Sequence, residues 1–152
     1  MWDTVPRLLA EHRYLVLGTA DAAGTPWATP VFYAPDGEHR VVWVSSPDSR
    51  HSRNIATRPT VAVTVFDTHA PIGQAEAIYL EATAGLADAW SDAVELLNAR
   101  LPAAQRLEPH DLGPDGPLRA YQARVTQHYV LIRGGDPRFD NATDTRLPVE
   151  PP

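Results

Sequence analysis

The first three strand-like segments of this chain are joined by turns too short to hold a helix. Residues 14–20 (YLVLGTA), 26–33 (PWATPVFY) and 41–45 (VVWVS) are separated only by Asp21-Ala-Ala-Gly24 and Ala34-Pro-Asp-Gly37. Parallel neighbours need crossovers of about a dozen residues or more, usually helical. These lengths therefore exclude a doubly wound sheet and predict an antiparallel meander. In such a meander Trp27 and Trp43 would meet across adjacent strands.

The rest of the chain follows the same economy. Residues 4–12 carry Val5, Leu8, Leu9 and His12 on one helical face. A polar stretch after Ser45 opens a short helix over residues 49–57, limited by Pro59. Residues 60–67 (TVAVTVFD) and 77–87 (AIYLEATAGLA) read as strands, the first rich in β-branched side chains. Residues 90–101 read as a helix with Val94, Leu97 and Leu101 on one face, and residues 102–117, with four prolines, as loop. Residues 121–132 form a sixth strand, bent or bulged in its polar middle. The order α-β-β-β-α-β-β-α-β is met by a closed or nearly closed antiparallel barrel with peripheral helices, because closure removes sheet edges. One domain over residues 1–132 is expected, followed by a polar, proline-containing tail, residues 133–152, ordered only if it docks.

Composition narrows the function classes. The 152 residues carry a net charge of −6 and a pI near 5.4, which argues against a nucleic-acid protein and against adsorption to anionic membranes. No apolar run spans a bilayer and the first residues carry no apolar leader, so a cytoplasmic protein is expected. There is no cysteine, hence no thiol nucleophile or thiolate metal site. All 13 basic residues are arginine, which excludes amine Schiff-base chemistry and a P-loop lysine.

The richest segment is residues 43–55, WVSSPDSRHSRNI. A strand delivers Ser45 and Ser46, and a helix begins just beyond with its free N–H groups. Hydroxyls, a guanidinium and free N–H groups are what a phosphate monoester needs. Two readings stay open on these residues: a phosphate site, or an ordinary cap at Asp48 or Ser49 with solvated Arg50 and Arg53. None of the six histidines forms a close metal-ligand pair, so no metal is expected. His39 reads as solvated, His128 as structural, and His51 as the functional candidate. No GxGxxG or GxSxG is present.

The segments ATPVFY (28–33) before a Pro-Asp-Gly turn, VSSPDSRH (44–51) followed by Asn54-Ile-Ala and Arg58-Pro59, and the strands over residues 60–66 and 77–84 resemble the pyridoxamine 5′-phosphate oxidase-like, FMN-binding split-barrel proteins over residues 5–132. The resemblance implies a mainly β (α+β) fold, a six-stranded antiparallel split β-barrel with peripheral helices, assembled as a homodimer. It implies that Val44 and Ser45 lie along the flavin and its ribityl chain, and that Ser49, Arg50 and His51 hold the phosphate. Ser46 and Asn54 would add polar contacts; Thr29, Pro30 and Val31 would offer backbone groups to the ring edge. Gln74 would reach the flavin of a second subunit. His51 stands where the family pattern has lysine, which ties phosphate affinity to pH. The tail has Arg146-Leu-Pro148 without the tryptophan of the vitamin B6 oxidases, so that substrate is not expected.

The function expected is an FMN-dependent oxidoreductase acting on a small molecule. His69 and Tyr79 are candidates for proton donation, and the sequence requires no catalytic side chain. The alternatives are a reductase of the same fold using the deazaflavin coenzyme, with Arg50, Arg53 and Arg58 meeting its anionic tail, or a non-enzymatic flavin- or haem-binding dimer with His69, His110 or His128 as axial ligand.

Overall fold

The computed structural model describes residues 1–152. Its elements are α1 (Thr4–Glu11), β1 (Tyr14–Ala20), β2 (Pro26–Phe32), β3 (Ala34–Asp36), β4 (Arg40–Ser45), α2 (Arg50–Thr57), β5 (Thr60–Phe66), β6 (Ala77–Leu86), α3 (Trp90–Asn98), α4 (Pro109–Leu112), β7 (Arg119–Ile132) and β8 (Thr145–Val149). All strand pairs are antiparallel, in the order β2-β1-β5-β6-β7-β4-β3, with β8 also on β7. The sheet curls into a half-barrel, and β2 and β4 are not paired by hydrogen bonds. The seam between them is the split.

The sheet has eight strands where the sequence pattern predicts six; β3 and β8 are the additions. Only β1 and β2 form the expected hairpin, in the register Leu17↔Thr29. The third predicted strand leaves the meander: β4 pairs with β7, Val42 opposite Gln122, some eighty residues on in the chain. The Trp27–Trp43 contact therefore does not form. Trp43 stacks instead on Tyr121 of β7, ring centroids 5.9 Å apart.

β7 is long because it serves three partners. Tyr121–Val130 face β6; its first six residues pair with β4 and its last five with β8. A bulge lies where Glu81 faces Gln127 and Ala82 faces Val125, leaving Thr126 over. This is the expected irregularity in the polar middle. Residues 133–152 do dock: Thr145–Val149 pair with His128–Ile132, and Val149 enters the core.

The main core holds 22 buried residues inside the half-barrel, among them Leu17, Trp43, Val63, Leu80 and Ala123. Helix α1 plugs one end through Val5, Leu8 and Leu9. β4 is buried on both faces, with Val41 and Trp43 inward and Val42 outward against Ala93, Val94 and Leu97 of α3. Covering both faces is why VVWV runs apolar without alternation. The segment after α3, expected as plain loop, contains a 3-10 turn (Ala103–Gln105) and α4. No helix is long and apolar enough to cross a membrane.

Candidate functional site

The split between β2 and β4 opens into a cleft of about 910 Å³, within the range of small-molecule sites. One wall comes from the strands: Pro30, Val31 and Phe32 of β2, and Val44 and Ser45 of β4, with His51 of α2 at the end. The opposite wall comes from α3 and the segment after it, with Leu97, Leu101, Pro102, Gln105, Leu107 and Leu118. Arg13, Tyr14, Ala99 and Arg100 complete the lining. The chain has 19 acidic residues, yet the cleft has no carboxylate and three nitrogen bases.

The polar end is built by the helix start. Ser49 is the N-cap of α2, its Oγ accepting from the Ser52 N–H at 3.4 Å and donating to the Ser46 carbonyl at 2.8 Å. Ser52 Oγ is 2.7 Å from it. This geometry leaves the N–H groups of Arg50 and His51 without an acceptor inside the helix. Ser46 Oγ accepts from the Asp48 N–H at 3.1 Å, closing the turn from β4 into α2. His51 Nε2 lies 2.8 Å from Ser45 Oγ and 3.3 Å from Ser49 Oγ. Burial holds the His51 imidazole below its ordinary value, so the ring is neutral at pH 7.

Of the eleven residues expected at a cofactor, Pro30, Val31, Val44, Ser45 and His51 line the cleft, and Ser49 touches His51 directly. Ser46 stands in the connecting turn. Thr29 lies on β2 beside Pro30 without lining the cleft, its Oγ1 3.5 Å from the Pro30 carbonyl. Arg50 turns to the outer surface, where its guanidinium sits 4.3 Å from the ring centroid of Trp27, a cation–π contact. Asn54 is buried and donates to Thr19 Oγ1 at 3.0 Å, tying α2 to β1. Gln74 is exposed in the β5–β6 connection, its N–H donating to the Pro71 carbonyl.

The histidines separate in the same way. His128 is buried, its Nε2 2.6 Å from the Glu38 carbonyl, with the rings of Trp2 and His39 packed against it. His69 and His110 are exposed and outside the cleft. Tyr79 is on the outer sheet face, under the guanidinium of Arg146. The sequence reading missed Arg13, Phe32, Arg100 and the wall after α3. Phe32 lies within the ATPVFY segment but was not singled out; Arg13 enters from just before β1, and Arg100 and the wall after α3 meet the cleft through the packing of α3 on β4.

Solved structures share this fold. A haem storage protein, HutZ, from Vibrio cholerae aligns with 17% identity over 84% of this chain and 92% of that one, TM-score 0.68. A haem-binding protein from Mycobacterium smegmatis aligns with 16% identity over 95% of this chain and 56% of that one, TM-score 0.73. An F420 reductase aligns with 22% identity over 80% and 93%, TM-score 0.59. These likenesses establish the fold alone. No protein of curated function matches the chain. The sequence pattern of the pyridoxamine 5′-phosphate oxidase family, however, covers residues 1–130, including every strand of the half-barrel except β8 and the last residues of β7, and the chain belongs to that family.

Proposed function

We propose that the chain binds FMN in the β2–β4 cleft and serves as a flavin-dependent oxidoreductase for a small molecule, as a cytoplasmic homodimer. The observation that carries this reading is the donor set at the α2 start. The hydroxyls of Ser45 and Ser49 meet the His51 imidazole at the α2 start, where Ser45 and His51 line a cleft without carboxylates and the Arg50 and His51 N–H groups have no acceptor in the helix. That set fits a phosphate monoester. The apolar surfaces of Pro30, Val31, Val44 and Leu97 fit the flat faces of a ring system. A bound flavin would supply the hydride or electron chemistry; the residues named would bind it, orient it and exclude water.

Two relatives in fold are haem proteins and one is an F420 reductase, which makes these ligands the alternatives. For haem, the cleft offers only the His51 imidazole, already 2.8 Å from Ser45 Oγ. For the deazaflavin coenzyme, the arginines are dispersed: Arg50 lies on Trp27, and Arg58 donates to the Ala22 carbonyl. The homodimer is supported by a small-residue, aromatic patch on the outer sheet face, where Val16, Gly18, Ala62, Tyr79 and Tyr129 line a shallow hollow.

The test is titration of the protein with FMN, riboflavin, the deazaflavin coenzyme and haem, followed by absorption and fluorescence. FMN should bind roughly 10- to 100-fold more tightly than riboflavin, the worth of a charge-assisted contact. Equal affinity for the two would overturn the phosphate assignment. Binding of the deazaflavin or of haem in place of FMN would move the protein to that alternative.

A further inference from the structure

We propose that the end of the cleft away from His51 is the substrate site, and that its substrate class is a small aromatic or otherwise apolar carboxylate. This rests on the reading that the His51 end holds the cofactor phosphate. The far end has three features. First, its wall is apolar: Leu101, Pro102 and Leu107 line it together with Phe32. Second, Tyr14 stands at its edge, largely exposed, with its ring edge-on to Phe32 at 6.3 Å. An exposed aromatic beside a half-buried one is a surface for stacking or for an aliphatic body.

Third, the cations there differ in what they already hold. The Arg100 guanidinium donates to the carbonyls of Tyr33, Ala10 and His12. The Arg13 side chain has neither a hydrogen bond nor an ion pair within the chain; only its backbone carbonyl is used, by the Tyr33 N–H. Arg13 is exposed and lines the cleft, with its five donors unpaired within the chain. A planar carboxylate is the partner that a guanidinium fork matches in two parallel bonds. With no acidic residue in the lining, nothing in the cleft competes for Arg13. Gln105 is the remaining polar side chain on that wall, able to donate to or accept from a substituent on the ligand.

The occupant is thus defined by an apolar body and one anionic group, held between the leucine wall and Phe32 with its carboxylate on Arg13. A neutral analogue of the same shape would keep the apolar contact and lose the fork.

The experiment compares cinnamate with cinnamamide on three proteins: wild type, Arg13→Gln and Arg13→Lys. Binding is read by thermal shift and calorimetry, with and without FMN. Wild type should bind cinnamate roughly 10- to 100-fold more tightly than the amide. Arg13→Gln should lose roughly 10- to 100-fold in cinnamate affinity with FMN affinity unchanged, and Arg13→Lys should recover part of the loss. Equal binding of amide and carboxylate, or undiminished cinnamate binding by Arg13→Gln, overturns the proposal. So does a parallel loss of FMN in Arg13→Gln, which would make Arg13 a cofactor contact. Failure of the FMN reading shows separately, as absence of FMN binding in wild type, because the cinnamate titration needs no flavin.

Discussion

The Arg100 guanidinium lies 4.9 Å from the ring centroid of Tyr33 and also donates to the Tyr33 carbonyl at 2.6 Å. One cation thus holds both the ring and the backbone of the same residue. Its other nitrogen donates to the carbonyls of Ala10 and His12 at the end of α1, while the Tyr33 hydroxyl donates to the Leu9 carbonyl at 2.7 Å. Burial pushes the Tyr33 phenol up to about 12, so it remains a donor at all ordinary pH values. Arg100 follows α3, so this joint fastens the cleft's outer wall to the barrel plug.

Arg100→Ala removes the donor from three carbonyls at once. The expected loss is about 1.5–3 kcal/mol, the range for hydrogen bonds to a charged group. It should appear as a lower urea midpoint with an unchanged slope. A midpoint within error of wild type would show that water replaces the guanidinium without cost.

Acid should destabilise the ligand-free protein through its histidines. Burial lowers the values of His128 and His51 below 6.5. At His128 the Glu38 carbonyl opposes that shift and nearby His39 adds to it. In the window between each lowered value and 6.5, the unfolded chain binds more protons than the folded one. Stability therefore rises with pH across that window. It is fully present above about 6.5 and lost progressively below. His128→Gln keeps a side-chain donor for the Glu38 carbonyl but cannot titrate, so its melting temperature should fall less between pH 7 and pH 5 than that of wild type. Parallel profiles would remove His128 as the source.

How much of this was legible depends on how local the information is. Six strands and three helices follow from alternation and apolar spacing, because β-branched runs such as TVAVTVF report their own burial. The turn into α2 was legible for the same reason: Ser49 caps the helix three residues before the Ser52 N–H it serves. The partner of β4 was not, since nothing in VVWVS announces AYQ in β7 as its neighbour. Arg50 shows the limit at the site. The resemblance implies a phosphate contact for Arg50; in this structure its guanidinium lies on Trp27, twenty-three residues earlier, a neighbour no local pattern announces.

β8 was hidden by Pro148, which cannot donate to a ladder and is tolerated because β8 is paired on one side only. Val149 nonetheless lies in the main core and Leu147 packs against it. Deleting residues 145–152 should therefore destabilise the domain by about 2 kcal/mol or more, from the lost burial of these side chains. It also bares the β7 edge at His128–Ile132, an invitation to edge pairing. Thermal melts with light scattering would show a lower transition and aggregation. An unchanged melt would demote the strand to an ornament of the surface.

The proposed outer-face dimer can be challenged at Gly18. A Cβ built there meets the Ala62 carbonyl oxygen at 3.5 Å and Ala62 Cβ at 3.6 Å, ordinary contacts. A larger side chain would fill the hollow lined by Val16, Ala62 and Tyr79 without disturbing the protomer's own core. Gly18→Leu should keep the wild-type circular dichroism while shifting sedimentation from dimer to monomer at micromolar concentration. A dimer that survives this substitution uses another face.

The last prediction concerns His51, where the family pattern has lysine. In the ligand-free protein burial keeps the ring neutral at pH 7. A phosphate dianion beside Nε2 favours the protonated ring, so its bound value rises and binding takes up a proton. FMN affinity should then be greatest below the ligand-free value and fall as pH rises, by up to about tenfold per unit, until the bound value is passed. Below about pH 6 the phosphate loses its second charge, which works in the opposite direction. The His51→Gln variant isolates the histidine: both proteins share the phosphate titration, and only wild type has the imidazole. The ratio of wild-type to variant affinity should fall as pH rises from the ligand-free value, below 6.5, until the bound value is passed. His51→Lys should bind well throughout, because lysine stays charged over this range. A flat ratio would place the phosphate away from His51 and overturn its assignment to the α2 start.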